Sequence, residues 1–235
     1  MRGIPARYPA VTPEIAVVVS AYNEADRLAE TLAAVREAFP GARVMVADDH
    51  SQDATPDVAT AAGVEVVRAP RHVGKGGANT LAVRRLLEPG GPVPTLVLCD
   101  GDLGASAREL PRLVEALERG EGDLAVAAFA RRVGGGFGVA IGFSRWAIRR
   151  RTGLEPAAPI SGQRALKPAV VQAVLPFAPG FGMETAMTID AHRAGFRLVE
   201  VELPLEHRAT GRTVGGFVHR FRQLLSFARV YVSRR

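Results

Sequence analysis

Apolar residues in the first hundred positions fall into short unbroken runs. Ile15-Ala-Val-Val-Val-Ser-Ala-Tyr-Asn23, Ala42-Arg-Val-Met-Val-Ala47, Val64-Glu-Val-Val-Arg68 and Thr95-Leu-Val-Leu-Cys-Asp100 each read as a strand buried on both faces. Between them the spacing changes to that of a helix. Leu28, Leu32, Val35 and Phe39 share one helix face, Thr55-Pro56 supplies an N-cap and a first-turn proline, and Gly74-Lys-Gly-Gly77 opens a third helix. Further on, Ser106-Ala-Arg-Glu109 reads as a capping box ahead of an amphipathic helix carrying Leu110, Leu113, Val114 and Leu117. Leu124 to Ala130 predicts a strand, Ser161-Gly-Gln-Arg-Ala165 precedes a helix near Pro168, and Phe181-Gly-Met-Glu184 opens a helix to Ala194. Arg197 to Leu203 alternates sides as a strand does, and Gly216 to Val232 predicts a basic amphipathic helix.

Strands alternating with helices predict an α/β fold, with a mostly parallel central sheet flanked by helices and ligands outside the carboxyl ends of the strands. The polar motifs fall at those ends: Tyr22-Asn-Glu24 after the first strand, Asp48-Asp49 after the second, Asp100-Gly-Asp102 after the fourth. Residues two apart on an extended chain point to one side, so Asp100 and Asp102 present paired carboxylates. Hard oxygen ligands of this kind suit Mg²⁺ or Mn²⁺, which bind one or two carboxylates together with substrate phosphates. Asp-Gly-Asp in isolation reads first as a polar turn after a strand, and its surroundings decide otherwise. Three acidic strand ends converging on one crevice favour the cation, and with it a nucleoside diphosphate derivative.

Composition narrows the picture. The 235 residues suit one α/β domain over residues 1–215, followed by the basic helical segment 216–235. Of the net charge of +6, Arg208 to Arg235 contributes seven arginines and no acid, which leaves −1 for the rest. A second acid-free cluster comprises Arg131, Arg132, Arg145, Arg149, Arg150 and Arg151; its Arg131-Arg-Val-Gly-Gly-Gly136 portion predicts a basic loop able to close over an anion. The single Cys99 excludes an intrachain disulfide and indicates a reducing compartment. No signal peptide or membrane-spanning stretch is apparent, so a cytoplasmic location is expected, with peripheral contact on the inner membrane face through the C-terminal helix as the open alternative. Nucleic acid is disfavoured as a partner because the aromatic residues of the basic tail are needed for helix packing.

Taken together, these residues resemble the family 2 glycosyltransferases of GT-A fold, of the dolichyl- or polyprenyl-phosphate mannose synthase type. Ser-Ala-Tyr-Asn-Glu24 stands where that family has Pro-x-Tyr-Asn-Glu. Val-Ala-Asp-Asp-His-Ser51 with Asp53 and Thr55 is similar to its base- and ribose-holding segment. Gly74-Lys-Gly76, Asp100-Gly-Asp102-Leu, Ser161-Gly-Gln-Arg-Ala and Gly182-Met-Glu184 also match. The resemblance implies nucleotide contacts from Ser20, Tyr22, Glu24, Val46 and Asp48, with Asp49, Lys75, Asp100 and Gly101 lining the same site. It implies metal ligation by Asp100 and Asp102 and phosphate contacts from Arg131 and Arg208. Two positions depart from the pattern. Gly104 replaces a Gln-type third metal ligand, for which His207 is the substitute candidate, and Arg208-Ala-Thr-Gly-Arg-Thr-Val214 lacks the Ser-Lys ending of lipid-phosphate enzymes, so Arg212 would supply the charge.

The implied reaction moves a sugar from a GDP- or UDP-linked donor to a phosphate-bearing acceptor, a polyprenyl phosphate first. Asp102, Glu184, Arg131 and Arg208 are the candidate catalytic residues. Glu184 would orient a phosphate acceptor, or act as base toward a hydroxyl. Gly180-Phe-Gly-Met-Glu184 also resembles glucosyl-3-phosphoglycerate synthases, which makes a small soluble phosphate the alternative acceptor. A nucleotide-sugar-binding protein without turnover is the alternative of another class.

Overall fold

The computed structural model describes residues 14–88, 90–129 and 138–205. The four apolar runs form the strands β1 (Ile15–Ala21), β2 (Arg43–Asp48), β3 (Glu65–Arg68) and β4 (Thr95–Asp100). They are joined through helices α1 (Ala25–Ala38), α2 (Thr55–Ala61) and α3 (Lys75–Leu87). Beyond them come α4 (Pro111–Glu118), β5 (Leu124–Phe129), α5 (Gly138–Thr152), β6 (Arg164–Leu166), α6 (Pro168–Val174), α7 (Met183–Arg193) and β7 (Leu198–Leu203). The sheet has the order β3-β2-β1-β4-β6-β5-β7. Every neighbouring pair is parallel except those of β6, which runs antiparallel to both β4 and β5.

Alternate residues of the central strands feed two separate cores. Val17 and Val19 of β1, with Val97 and Cys99 of β4, pack against Leu28, Leu32 and Val35 of α1 and Leu113 of α4. Ala16, Val18, Leu96 and Leu98 face the other way, toward Ala82 of α3, Val171 of α6 and Met187 of α7. Fully burying such a side chain contributes roughly 1.5–3 kcal/mol, which is why β1, β2 and β4 hold as double-faced strands, whereas β3, at the sheet edge, is only partly covered and is not the doubly buried strand its run predicts.

The local expectations need four corrections. Ala54, not Thr55, occupies the N-cap of α2. The Thr55 hydroxyl instead accepts from Glu24 N at 2.8 Å, and Asp53 Oδ1 accepts from Thr55 N at 3.0 Å. Ser106 does not cap a helix. Gly104–Glu109 is a 3-10 turn in which Ser106 Oγ donates to the Leu103 carbonyl at 2.7 Å, and α4 starts only at Pro111, although Leu110, Leu113, Val114 and Leu117 are buried as expected. β7 does not alternate cleanly, because it is an edge strand on which only Leu203 is fully covered. Finally, α5 and the three-residue β6 occupy stretches for which the pattern predicts no element. The segment 216–235 lies outside the described residues.

Candidate active site

In-register parallel pairing lines up the strand ends. Ser20 of β1 sits opposite Asp100 of β4 on one side and Ala47 of β2 on the other, with Ala21 opposite Asp48. Asp100 follows Leu96 and Leu98 in parity, so its carboxylate emerges on the α3 and α7 side. There the Lys75 ammonium, on the first residue of α3, lies 2.6 Å from Asp100 Oδ1 and 2.9 Å from Glu184 Oε1. Gln163 Nε2 donates to Asp100 Oδ2 at 2.8 Å, and Ser161 Oγ donates to Gln163 Oε1 at 3.2 Å. Burial alone would disfavour the ammonium, but the charges of Asp100 and Glu184 outweigh it and hold Lys75 above the ordinary lysine range. The same cluster acts on Cys99, where burial and then Asp100 and Asp102 push the thiol well up and keep it protonated.

The turn after β4 is tied to α1. Thr31 Oγ1 donates to the Gly101 carbonyl at 2.8 Å and accepts from Gly104 N at 2.8 Å, while an Arg27 amino group donates to the Asp102 carbonyl at 3.1 Å. Gly104 has φ +54°, and a Cβ there would stand 2.9 Å from Glu30 Oε2. The backbone therefore disfavours any side-chain metal ligand at this position. Gly162 is the other close approach. Its missing Cβ would lie only 2.6 Å from Asp100 Oδ2, closer than real Cβ atoms come, and would also overlap the Lys75 ammonium.

On the β2 side, Asp48 Oδ1 accepts from Ser51 N at 3.1 Å. Asp48 Oδ2 is buried and accepts no hydrogen bond among the described residues, though Arg68 Nε comes to 3.4 Å as an ion pair without hydrogen-bond alignment. Tyr22 is exposed at the rim with its ring centroid 4.6 Å from that of His72. Ser20 exchanges hydrogen bonds with the buried Asn79 amide.

Of the residues singled out from sequence, Ser20, Asp48, Lys75, Asp100, Gly101 and Asp102 meet at this edge with Glu184, and Tyr22 borders it. Two do not serve as expected. Val46 is fully buried between β1 and β3 as part of the core, so its side chain is closed off from any ligand. Asp49 is committed to the chain before α3: Oδ1 accepts from Val73 N at 2.7 Å and Gly74 N at 3.0 Å, and Oδ2 pairs with His72 at 3.0 Å. Its carboxyl is raised by burial, against the pull of those bonds and of His72. Glu24 provides the carbonyl that accepts from Arg27 N and Leu28 N at the start of α1. Arg131, His207 and Arg208 lie outside the described residues.

Three residues that now matter were not singled out: Gln163, Asn79 and Arg164. Arg164 is fully buried beneath the site and donates to the carbonyls of Ser161 at 2.8 Å and Pro159 at 3.3 Å and to Thr188 Oγ1 at 3.0 Å. Burial lowers it to about 10, opposed by Glu184 and Glu200. The Ser-Gly-x-Arg match already covered two of the three. The donors fit a hard divalent cation in chemistry, all being carboxylate oxygens, and the Lys75 ammonium shows that the cluster holds positive charge. No group of three His, Cys, Asp or Glu side chains stands ready around a metal position among the described residues.

Residues 16–156 match the family model described as glycosyl transferase family 2. The chain belongs to this family. As a family 2 glycosyltransferase it is 33% identical over 222 residues to an undecaprenyl-phosphate mannosyltransferase of Micrococcus luteus, spanning 87% of this chain and 89% of that protein. Among solved structures it resembles glucosyl-3-phosphoglycerate synthase of Mycobacterium tuberculosis in complex with phosphoglyceric acid, with a TM-score of 0.72 and 27% identity over 92% of this chain and 80% of that one. The same synthase with Mn²⁺, uridine diphosphate and glucosyl-3-phosphoglycerate gives a TM-score of 0.71 and 26% identity at the same coverage. The GT-A fold and the class of nucleotide-sugar-dependent glycosyltransferase expected from sequence are thereby established.

Proposed function

We propose that this glycosyltransferase moves a hexosyl group from a GDP- or UDP-linked sugar to the phosphate of a polyprenyl phosphate, with Mg²⁺ or Mn²⁺ held by Asp100 and Asp102. The observation that carries the reading is the charge arrangement at the end of β4, where Lys75 and Gln163 clasp Asp100 in room that exists only because Gly162 has no side chain. When bound, the cation supplies charge neutralisation at the departing diphosphate. Lys75 keeps Asp100 oriented and adds a fixed positive charge beside the phosphates. The buried Asp48 Oδ2 is an acceptor for an imino N–H, which uracil and guanine both offer, and Tyr22 gives the base a rim on which to stack. Arg131 and Arg208 would hold phosphate through guanidinium forks, and His207 would complete the metal shell. A phosphate acceptor is already an anion, so Glu184 has no proton to remove and serves to position Lys75 and the acceptor.

The acceptor reading is supported by the likeness, over most of both chains, to a protein named for undecaprenyl phosphate. Such an acceptor offers its phosphate at a bilayer surface, which fits a peripheral enzyme on the cytoplasmic face. Among the described residues no helix is long and apolar enough to cross a membrane. A second reading, transfer to a small soluble phosphate such as 3-phosphoglycerate, is favoured by the synthase structure that carries phosphoglyceric acid. The test is a paired assay: radiolabelled GDP-mannose and UDP-glucose, each with Mn²⁺, offered to polyprenyl phosphate or 3-phosphoglycerate and partitioned into organic solvent. Label extracted with the lipid supports the first reading, and label confined to the aqueous phase refutes it. Transfer that survives in both Asp100→Ala and Asp102→Ala removes the metal site.

A further inference from the structure

We propose that the outward face of α5 docks on an anionic bilayer surface, with Trp146 in the headgroup layer and Arg149 and Arg150 against lipid phosphates. The inference rests on the polyprenyl-phosphate reading above for its purpose and on α5 for its evidence. Ala140, Ser144, Ala147 and Ile148 form a buried stripe along the helix, and Gly142, Trp146, Arg149 and Arg150 form an exposed stripe at the same spacing on the opposite side. Trp146 is 42% exposed; the other large apolar side chain so exposed among the described residues is Tyr22, at the nucleotide rim. Phe143, one turn earlier on the same helix, meets it with ring centroids 5.4 Å apart. A partly exposed indole beside arginines is the composition of an interfacial helix, since the ring is apolar with one polar edge and the guanidinium groups meet headgroup phosphates.

Charge points the same way. α5 contains no acidic residue, and among the described residues the acid that reaches its outer face is Glu155, which pairs with Arg149 at 3.2 Å with both side chains more than half exposed. Such a pair is weak, and Arg150 pairs with no acid among the described residues. Position ties the face to the site. β5 runs in the same direction as β4, so the chain leaves it at the edge where Asp100 sits before turning into α5. The inner side of α5 is bonded to α7 through Ser144 Oγ and Thr185 Oγ1 at 2.6 Å, one residue from Glu184. A bilayer seated on α5 would lie one helix diameter, about 10 Å, from the α7 side that carries Glu184.

Trp146 is the only tryptophan in the chain, so its fluorescence reports on this face alone. The full chain is titrated with phosphatidylcholine vesicles with and without phosphatidylglycerol, and with inorganic phosphate. The expected result is a blue shift of the emission, and quenching by brominated acyl chains, with the anionic vesicles only. Arg149→Gln with Arg150→Gln removes two surface attractions of about fivefold each, so partitioning falls about 25-fold. Protein that sediments with anionic vesicles while Trp146 keeps its aqueous emission binds through another surface, and overturns the proposal. An equal spectral shift with inorganic phosphate also overturns it. Insertion of Trp146 without transfer to polyprenyl phosphate supports the docking face and defeats the acceptor reading instead, so the two failures are distinguishable.

Discussion

Lys75→Met removes the charge at the centre of the site while nearly keeping the volume. The ammonium is 2.6 Å from Asp100 and 2.9 Å from Glu184, its own side chain is 22% exposed, and that of Glu184 is 7% exposed. At an effective dielectric near 20, one such pair is worth roughly 5–6 kcal/mol before dehydration is counted. Dehydration offsets most of that, and removing one partner of a buried pair leaves a net loss of about 3–5 kcal/mol. The partial solvent contact of the lysine nitrogen argues for the lower end, about 3 kcal/mol, or a Tm lower by roughly 6–12 °C for a chain of this size. Urea and thermal unfolding of Lys75→Met, Glu184→Gln and the double variant measure it. The double variant should be more stable than the sum of the singles predicts, by about 1 kcal/mol or more, because the second substitution removes a carboxylate the first has orphaned. A Tm within about 2 °C of the parent would refute the electrostatic reasoning. Strict additivity would remove the pairing with Glu184.

Gly162→Ala places a methyl group against the Lys75 ammonium and 2.6 Å from Asp100 Oδ2. The lysine can swing aside, so stability should fall by only about 1–2 kcal/mol, while displacement of the charged groups lowers turnover roughly 100-fold; melting curves and steady-state rates on one preparation check the split. Asp123 is held below the ordinary carboxylate range chiefly by the Arg197 backbone N–H at 3.0 Å and also by Lys167 at 3.0 Å. Its folded pKa is depressed, so its contribution, about 1–2 kcal/mol, is present above the unfolded value near 3.9 and lost as pH falls through the folded one. Asp123→Asn should therefore lower stability at neutral pH and flatten its decline below about pH 4 in acid unfolding titrations.

The parallel half of the sheet is legible because strands covered on both faces are written as continuous apolar runs, and the three acidic strand ends follow directly from them. β6 escapes because three residues beginning with an arginine carry no period, and a buried arginine is satisfied there by the nearby Ser161 and Pro159 carbonyls together with the Thr188 hydroxyl brought in by α7. α5 is hidden by its arginines and glycines, which blur a buried stripe that tertiary contact with α7 completes. Gln163 stood inside a recognised motif without a role, since its meaning depends on Asp100, 63 positions earlier. Asp48 and Asp49 look equivalent in a row, yet one is left with a buried open oxygen and the other is consumed by the loop before α3.

The reversed direction of β6 has a consequence for how the chain is divided. A strand laid head-to-tail against its neighbours presents its beginning, not its end, at the ligand edge, so Gln163 arrives from behind while Arg164 turns underneath. A fragment stopping at residue 156, where the family match ends, would retain the five strands β1 to β5, which all run in one direction, and both aspartates. It would lack the amide that grips Asp100, the guanidinium that anchors that amide's loop, and the glutamate across from Lys75. The acidic strand ends proposed to hold the donor are thus written early in the chain, but the posture of Asp100 is dictated by a segment more than sixty positions later, so the pocket is finished only when the last third of the chain has folded against the first.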